Sequence, residues 1–301
     1  MHRNKINEKW VKTQIPTVSV GLPVFNSEAT VGKAIKSILS QTYHDFELII
    51  SDNASTDNTE AICMKYCALD SRIRFIRQEE NIGAGNNFQF VFSQARGTYF
   101  MWAAADDTRT ANFIEQTVFV LENNSNCVFS STANCFEGQE ESVDRHQNFE
   151  LKGSLYSRLT RFFDICWNSH GCFYSMIRKS ALNEAHYIKE KYLAADWAVI
   201  VSLLVQGEFC RAKDGLQILG DKGSSMQSGY MRSMCTTPTE FIAPLIRFSI
   251  IVFQLGLQSK KLTKKQLTKI FIRLIVLNIT VVYMLYHEEL SRFSKKLSFK
   301  P

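Results

Sequence analysis

Asp106 and Asp107 stand side by side at the end of "YFMWAAADD", a run of aromatic and small apolar residues that begins at Tyr99. Buried strands favour β-branched and aromatic side chains, and two neighbouring carboxylates add nothing to such packing. A divalent cation between the pair and a polyphosphate would offset their repulsion. Mg2+ and Mn2+ take one or two carboxylates and fill their remaining positions with water and phosphate oxygens. Such an ion would neutralise charge growing on a departing diphosphate. A structural alternative stands beside this one: Asp107 precedes "TRTANFIEQTV" and reads equally as a helix N-cap.

The elements around the pair alternate in type. Thr17–Phe25 reads as a strand, and Ala29, Val31, Ala34, Ile35, Ile38 and Leu39 follow at helical spacing. Phe46–Ser51 is a second strand, and "DNASTDNT" after it is a turn and N-cap cluster opening a helix. "IRFIRQ", "TYFMWAA" and "CVFSST" are further strands, separated by helical stretches at Phe88–Ala95 and Phe113–Leu121. This pattern predicts an α/β fold, a mostly parallel sheet flanked by helices. Ligands of such sheets bind beyond the carboxyl ends of the strands, which puts Pro23–Asn26, Asp52–Asn53 and Asp106–Asp107 on one rim. Further on, His170–Leu182 reads as a strand entering a helix, and Leu193–Phe209 as a helix ended by Gly207 and followed by a strand.

With 301 residues, 45% of them apolar, the chain can bury the core of one large domain with an appendage. Eight cysteines without a C-x-x-C pair read as reduced core residues of a cytosolic protein. The first 16 residues have no apolar core, so no secretory signal is expected and the expected location is cytoplasmic. The net charge of +6 is uneven: from Ser259 onward ten Lys and Arg face only Glu288 and Glu289, leaving the first 258 residues at −2. The main domain therefore does not read as a nucleic-acid binder.

In the tail, "FIAPLIRFSIIVFQLGLQ" and "IFIRLIVLNITVVYMLY" flank "SKKLTKKQLTK", and Arg247 and Arg273 interrupt the two apolar runs. The uninterrupted piece Leu274–Tyr286 is shorter than the roughly 20 residues of a spanning helix. Two readings stand. The runs are helices packed on the domain, or they form an amphipathic hairpin in peripheral contact with the anionic inner face of the cytoplasmic membrane.

From Thr17 to Gly220 the chain resembles the family 2 glycosyltransferases of GT-A fold. "VSVGLPVFNSEATVGKAIKSILSQTYHDFELIISDNASTDNT", "NIGAGNNF", "RGTYFMWAAADD" and "ADWAVIVSLLVQGEF" carry the resemblance. It implies an N-terminal extension (1–16), a GT-A domain (17–225) and a basic, amphipathic helical tail (226–301). Within the domain, residues 17–137 would bind the nucleotide sugar and 138–225 the acceptor. Pro23 and Phe25 would line the uridine pocket. Asp52 and Asn53 match the acidic pair that grips the base; the Asn53 carbonyl still accepts, while its amide donates. Asn81 and Asn87 stand where members line the nucleotide and sugar, and read equally as loop and helix-cap residues. Ala104 replaces a further acid of the metal motif. Asp107 is thereby assigned to Mn2+ or Mg2+, and Asp106 to ribose or sugar hydroxyls with a share in the metal.

On the acceptor side the resemblance implies a general base at a helix start, and Asp196 matches it; an N-cap is its structural alternative. Ala195 occupies a position where members often have another acid. Trp197 would stack on an acceptor sugar or pack in the core. His170 would border the acceptor site or be a satisfied core histidine. The implied activity is inverting transfer of one sugar from a nucleoside diphosphate, UDP foremost, to a saccharide or lipid-linked saccharide hydroxyl in polysaccharide or glycolipid assembly. The Q-x-x-R-W signature of processive synthases is absent. Two other readings remain: a degenerate transferase acting as a binding subunit, favoured by Asn53, Ala104 and Ala195, and a sugar nucleotidyltransferase, disfavoured because "GLPVFNSEAT" is no glycine-rich loop.

Overall fold

In the computed structural model, which describes residues 15–140, 149–182, 191–220 and 229–298, strands β1 (Val18–Val24) and β2 (Phe46–Asp52) are buried at every position. Both faces are covered, so the two strands are mainly apolar without alternation, and their few polar residues, Ser19, Glu47, Ser51 and Asp52, are buried too. They pair in parallel, and β3 (Ile73–Arg77) and β4 (Tyr99–Trp102) extend the parallel block on either side. Beyond β4 the sheet becomes mixed. Its order is β3-β2-β1-β4-β7-β6-β8-β5, completed by β5 (Thr108–Arg109), β6 (Cys127–Phe136), β7 (Met176–Arg178) and β8 (Glu208–Leu219). β7 is antiparallel to β4 and β6, β5 is antiparallel to β8, and β6 and β8 are parallel.

Pro23 sits inside β1 without disrupting it. The Val24 carbonyl accepts from Asn53 on the β2 side, while Gly21, two residues before Pro23, turns its carbonyl to Ala103 on the β4 side. Strand alternation aims the missing Pro23 N–H towards β4, beyond the last paired residues Gly21 and Trp102.

Helices α1 (Val31–Leu39), α2 (Thr59–Leu69), α3 (Ala84–Ser93) and α4 (Phe113–Asn123) cover this half. Successive β2 residues feed opposite cores. Leu48 and Ile50 join the cluster containing Ile35 and Phe113, and Ile49 joins the one containing Val91 and Trp102. The second cluster continues into α5 (Leu155–Ile165), α6 (Ala195–Gln206) and two later helices, α9 (Ile246–Gln258) and α10 (Lys264–Ser298). Short helices α7 (Tyr230–Met234) and α8 (Pro238–Ile242) lead into them. All eight cysteines are free, and all but Cys67 are buried.

Three local expectations need correction. Asp107 caps no helix: Thr108 and Arg109 form β5, and α4 starts after Asn112. Asp196 is not an N-cap either, because that position of α6 is Ala194 and Asp196 lies one turn-step inside the helix. The tail is not divided at Arg273. Helix α10 runs through it, and Lys264–His287, which contains an 18-residue stretch of mean hydropathy 1.8, is long and apolar enough by length and composition to cross a bilayer. The expected 1–16 extension lies outside the described residues except for 15 and 16, and so does the expected boundary at 225.

Candidate active site

The strand that ends in the paired acids is anchored by Trp102. Its ring is fully buried and stacks on Phe173 at 4.7 Å, and its Nε1 donates to the Phe88 carbonyl at 3.0 Å. Ala103 N–H continues the ladder to Gly21, and the chain then turns at Ala105 and Asp106. Pairing of Thr108 and Arg109 with Ile218 and Gln217 pins the far side of the turn. Asp107 is thus held between two fixed strands and is only 4% exposed. Its Oδ1 accepts the Gly220 N–H at 3.0 Å, whereas its Oδ2 is buried without a hydrogen-bond partner.

Burial pushes the Asp107 carboxyl up to about 6. The Arg109 guanidinium, the Gly220 N–H and the Gln217 side chain pull it down, and Asp106 adds repulsion. Arg109 is itself buried, with Nη2 donating to the Trp102 carbonyl at 3.4 Å and Cζ 5.3 Å from the centre of the Phe113 ring. Its Nε and Nη1 have no hydrogen-bond partner.

The charges of the acceptor-side acid and of the donor-side acids all act on one phenol. Tyr174 is half-buried, and its hydroxyl is raised well above the usual tyrosine value by burial first, then by Asp107, Asp106 and Asp196. Acids from two separate segments of the chain therefore share one electrostatic neighbourhood. Asp196 is solvent-accessible, yet the protein walls around it raise its carboxyl above the ordinary value, as expected on the side of a cleft. Its own and the Trp197 N–H act against that shift. The Tyr230 hydroxyl is pushed up to about 12, by burial and then by the Asp196 charge. The backbone that delivers Asp196 is strained: Ala194 has φ 67°, a conformation costing roughly 1–2 kcal/mol for a residue with a Cβ.

Trp197 is half-buried among Trp167 (5.1 Å), Phe248 (5.9 Å) and Phe162 (6.2 Å), all edge-on. His170 is exposed, its ring 5.5 Å from Phe136, and burial by its surroundings lowers its affinity for a proton. It is not a core histidine.

The nucleotide-side rim is tightly cross-braced. Asp52 is buried, accepts from the Ser55 N–H (3.1 Å) and hydroxyl, and pairs with Arg77. Asn53 and Asn81 clasp each other: Asn53 Nδ2 donates to Asn81 Oδ1 at 2.9 Å, and Asn53 Oδ1 accepts the Ile82 N–H at 2.9 Å. Asn87, 2% exposed, accepts from the Ser51 hydroxyl and donates to the Ser51 carbonyl. Every side-chain polar atom of Asp52, Asn53 and Asn87 thus has a protein partner, and these residues frame the rim. Phe25 is different, being 44% exposed at the end of β1. Asn26 follows it with φ 47°, and its Oδ1 accepts the Thr56 N–H at 2.8 Å.

A parallel block continued by a mixed extension, with acids gathered at its carboxyl rim, coincides with one sequence family. Residues 19–185 match the description of glycosyl transferase family 2. The chain belongs to that family. Among curated relatives, glycosyltransferase GlyG of Streptococcus pneumoniae serotype 4 is 35% identical over 98 residues, 33% of this chain and 33% of that one. TuaG of Bacillus subtilis strain 168, whose name associates it with teichuronic acid biosynthesis, is 32% identical over 126 residues, 42% of this chain and 49% of that one. The chain thus spans half or less of these relatives' length.

Solved structures agree on the GT-A fold. S. aureus TarS 1-349 in complex with UDP-GlcNAc superposes with a TM-score of 0.64 at 15% identity, covering 86% of this chain and 71% of that one. The mannosyltransferase PcManGT from Pyrobaculum calidifontis, in complex with GDP-Man and Mn2+, gives 0.56 at 13% identity, covering 94% and 76%.

The rim fits a cation. An orphaned buried carboxylate oxygen costs roughly 1–3 kcal/mol, and Asp107 Oδ2 is one that a cation would satisfy. Among the described residues no group of three or more His, Cys, Asp or Glu could hold an ion. Asp106 and Asp107 therefore suit an ion completed by phosphate and water.

Sequence reasoning missed Tyr174, Arg109, Gly220 and Tyr230. Tyr174 lies in "GCFYSM", which offers nothing to separate it from a core aromatic. Arg109 looked like part of a helix start. Gly220 carried the one usable signal, a glycine immediately after an apolar strand.

Proposed function

We propose that this family 2 chain is an inverting glycosyltransferase that moves one sugar from a nucleoside-diphosphate sugar, UDP-linked foremost, to an acceptor hydroxyl. The observation that carries the reading is the buried Asp107 carboxylate, with one oxygen unpaired at the end of the parallel block, in a family 2 chain whose α6 carries Asp196 in its first turn, an acid whose charge reaches the same Tyr174 as those of Asp106 and Asp107. A metal-side pair and an acceptor-side base then face one reacting centre. Asp196 takes the proton of the acceptor hydroxyl as its oxygen attacks the anomeric carbon. The bond to the diphosphate breaks on the opposite face, which inverts the configuration. Asp107, with Asp106, would hold Mn2+ or Mg2+, and the ion would supply charge neutralisation for the leaving diphosphate.

Phe25, at the rim beside Asn53 and Asn81, supplies a flat apolar surface to the base. Residues 17–137 form the donor half and 138–225 the acceptor half, with His170 and Trp197 on the acceptor side. The acceptor is a saccharide or lipid-linked saccharide on the cytoplasmic side, in polysaccharide or glycolipid assembly. The TarS and PcManGT complexes and the name of TuaG support donor and pathway class.

The test is release of nucleoside diphosphate from a panel of nucleotide sugars, with and without Mn2+, in the presence of a mixed saccharide and lipid-linked acceptor fraction. Metal-dependent release from one donor, lost in Asp107→Ala, is the expected result. Equal release by Asp107→Ala would remove the metal assignment. No release from any donor would leave a binding subunit in a transferase fold.

A further inference from the structure

The two arginines that interrupt the apolar tail in sequence are turned inward. Arg273 pairs with Asp164 of α5 and donates to the Thr160 carbonyl at 3.4 Å, and Arg247 Nε meets Glu240 Oε1 at 2.7 Å. Ile270, Leu274 and Val281 are buried on the same inner side of α10, and Asn278 Oδ1 accepts the Leu245 N–H at 2.9 Å. The outer side is left without interruption. At about 100° per residue, Ile272, Ile275, Val276, Ile279, Tyr283 and Tyr286 fall within one arc of about 100°. All six are exposed, Ile279 at 63% and Tyr283 at 67%. Phe271 touches exposed Phe253 with ring centres 6.2 Å apart, which joins this stripe to the outer side of α9.

Charge completes the surface. Lys264, Lys265 and Lys269 lie on the same arc or within about 20° of it, at the N-terminal end of the stripe. All three are exposed, as is Lys260 in the turn before them. From Ile246 to His287 the sequence contains no Asp or Glu. A second copy docked through this stripe alone would therefore bring no acid to the lysines, Glu288 and Glu289 following it in the sequence, whereas anionic lipid headgroups would.

We propose that the outer face of α9 and α10 docks flat on an anionic lipid bilayer, with the apolar stripe in the acyl boundary and the lysines at the headgroups. Helix α10 does not leave the domain to cross the bilayer, because its inner face is packed on α5 and α9 and held by Arg273 and Asn278. The ring of Trp197 lies 5.9 Å from Phe248 of α9, so the docked layer directly backs the helix that carries Asp196. The proposal stands independently of the transfer reaction.

Its test is flotation of the full chain with vesicles, without donor or acceptor. The protein is expected to float with vesicles containing phosphatidylglycerol and to stay behind with phosphatidylcholine alone. Lys264→Gln, Lys265→Gln and Lys269→Gln together should lower partitioning roughly a hundredfold. Ile275→Ser with Ile279→Ser should lower it at least about tenfold. Both variants alter exposed residues, and unchanged melting temperatures will show that they fold. Failure of the wild type to float, or variants that float like it, would overturn the proposal. So would a wild-type dimer that the serine pair dissociates while no vesicle binding is seen.

Discussion

A methyl group on Gly220 would lie 2.7 Å from both the Cβ and the Cγ of Asp106, closer than real Cβ atoms approach. The same residue donates its N–H to Asp107. One glycine after β8 therefore fixes both acids, through a close approach to the first and a hydrogen bond to the second. Gly220→Ala is expected to push Asp106 aside and lower turnover by roughly a hundredfold, the scale of an ångström-sized misplacement. Donor turnover and a thermal melt on the same preparation check it. A variant with wild-type turnover would show that Asp106 has no exact placement to lose.

Asp107 gives the cation a pH dependence. A proton and a divalent ion compete for the same carboxylate, and burial has raised its proton affinity to about 6. Folded-state protonation is favoured relative to the unfolded chain, so this group's contribution to stability is full below the ordinary aspartate value and is lost as pH rises towards 6. Mn2+ with UDP should restore that loss. The rise in melting temperature on adding both is expected to be largest at about pH 8 and small at about pH 5, and absent in Asp107→Ala.

Asp196 should separate catalysis from stability. Its raised carboxyl must be ionised to accept a proton, so kcat/KM falls as pH drops through a value above the ordinary aspartate range of about 4. The sign for stability is opposite, since the protein walls disfavour the charge that catalysis requires. Asp196→Asn is expected to lose about 10²–10⁴-fold in kcat while the donor still binds. Its melting temperature at neutral pH should match or exceed that of the wild type. A pH profile with an ordinary aspartate limb would remove Asp196 as the base.

The first half of the sheet was legible because local sequence decides it. Fully buried parallel strands show as apolar runs, and the helices between them show their spacing. What failed depends on distant partners. Thr108 and Arg109 form a strand only because Ile218 and Gln217 pair with them. Arg273 reads as a break in an apolar run until Asp164 is seen to receive it. The acids of the site were visible as types at strand and helix ends. Tyr174 was not, because an aromatic in an apolar strand context has no local mark that the charges of acids from two distant segments act on it. Asp52 and Asn53 illustrate the reverse: their place was legible, but their Arg77, Ser55 and Asn81 partners were not.

Glu47 offers a test of the frame away from the chemistry. It is fully buried in β2, where Oε1 accepts from the Ser19 hydroxyl at 2.7 Å and the Arg96 N–H at 3.1 Å. Its Oε2 meets Arg96 Nη2 at 2.9 Å and Arg74 Nη1 at 3.4 Å. The Ser19 hydroxyl also accepts the Gly97 N–H at 2.8 Å, so the network ties β1, β2 and β3 to the turn that starts β4. Removing one partner of a buried charge network leaves the others uncompensated, at about 3–5 kcal/mol. Glu47→Ala is therefore expected to lower unfolding free energy by that amount in denaturant titration. Glu47→Gln keeps the shape and one acceptor but loses the charge, and should fall between the two. Because the network lies at the opposite end of the strands from Asp106 and Asp107, the folded fraction of either variant should keep its donor specificity. A loss of activity larger than the loss of folded protein would show instead that the strand frame is coupled to the rim.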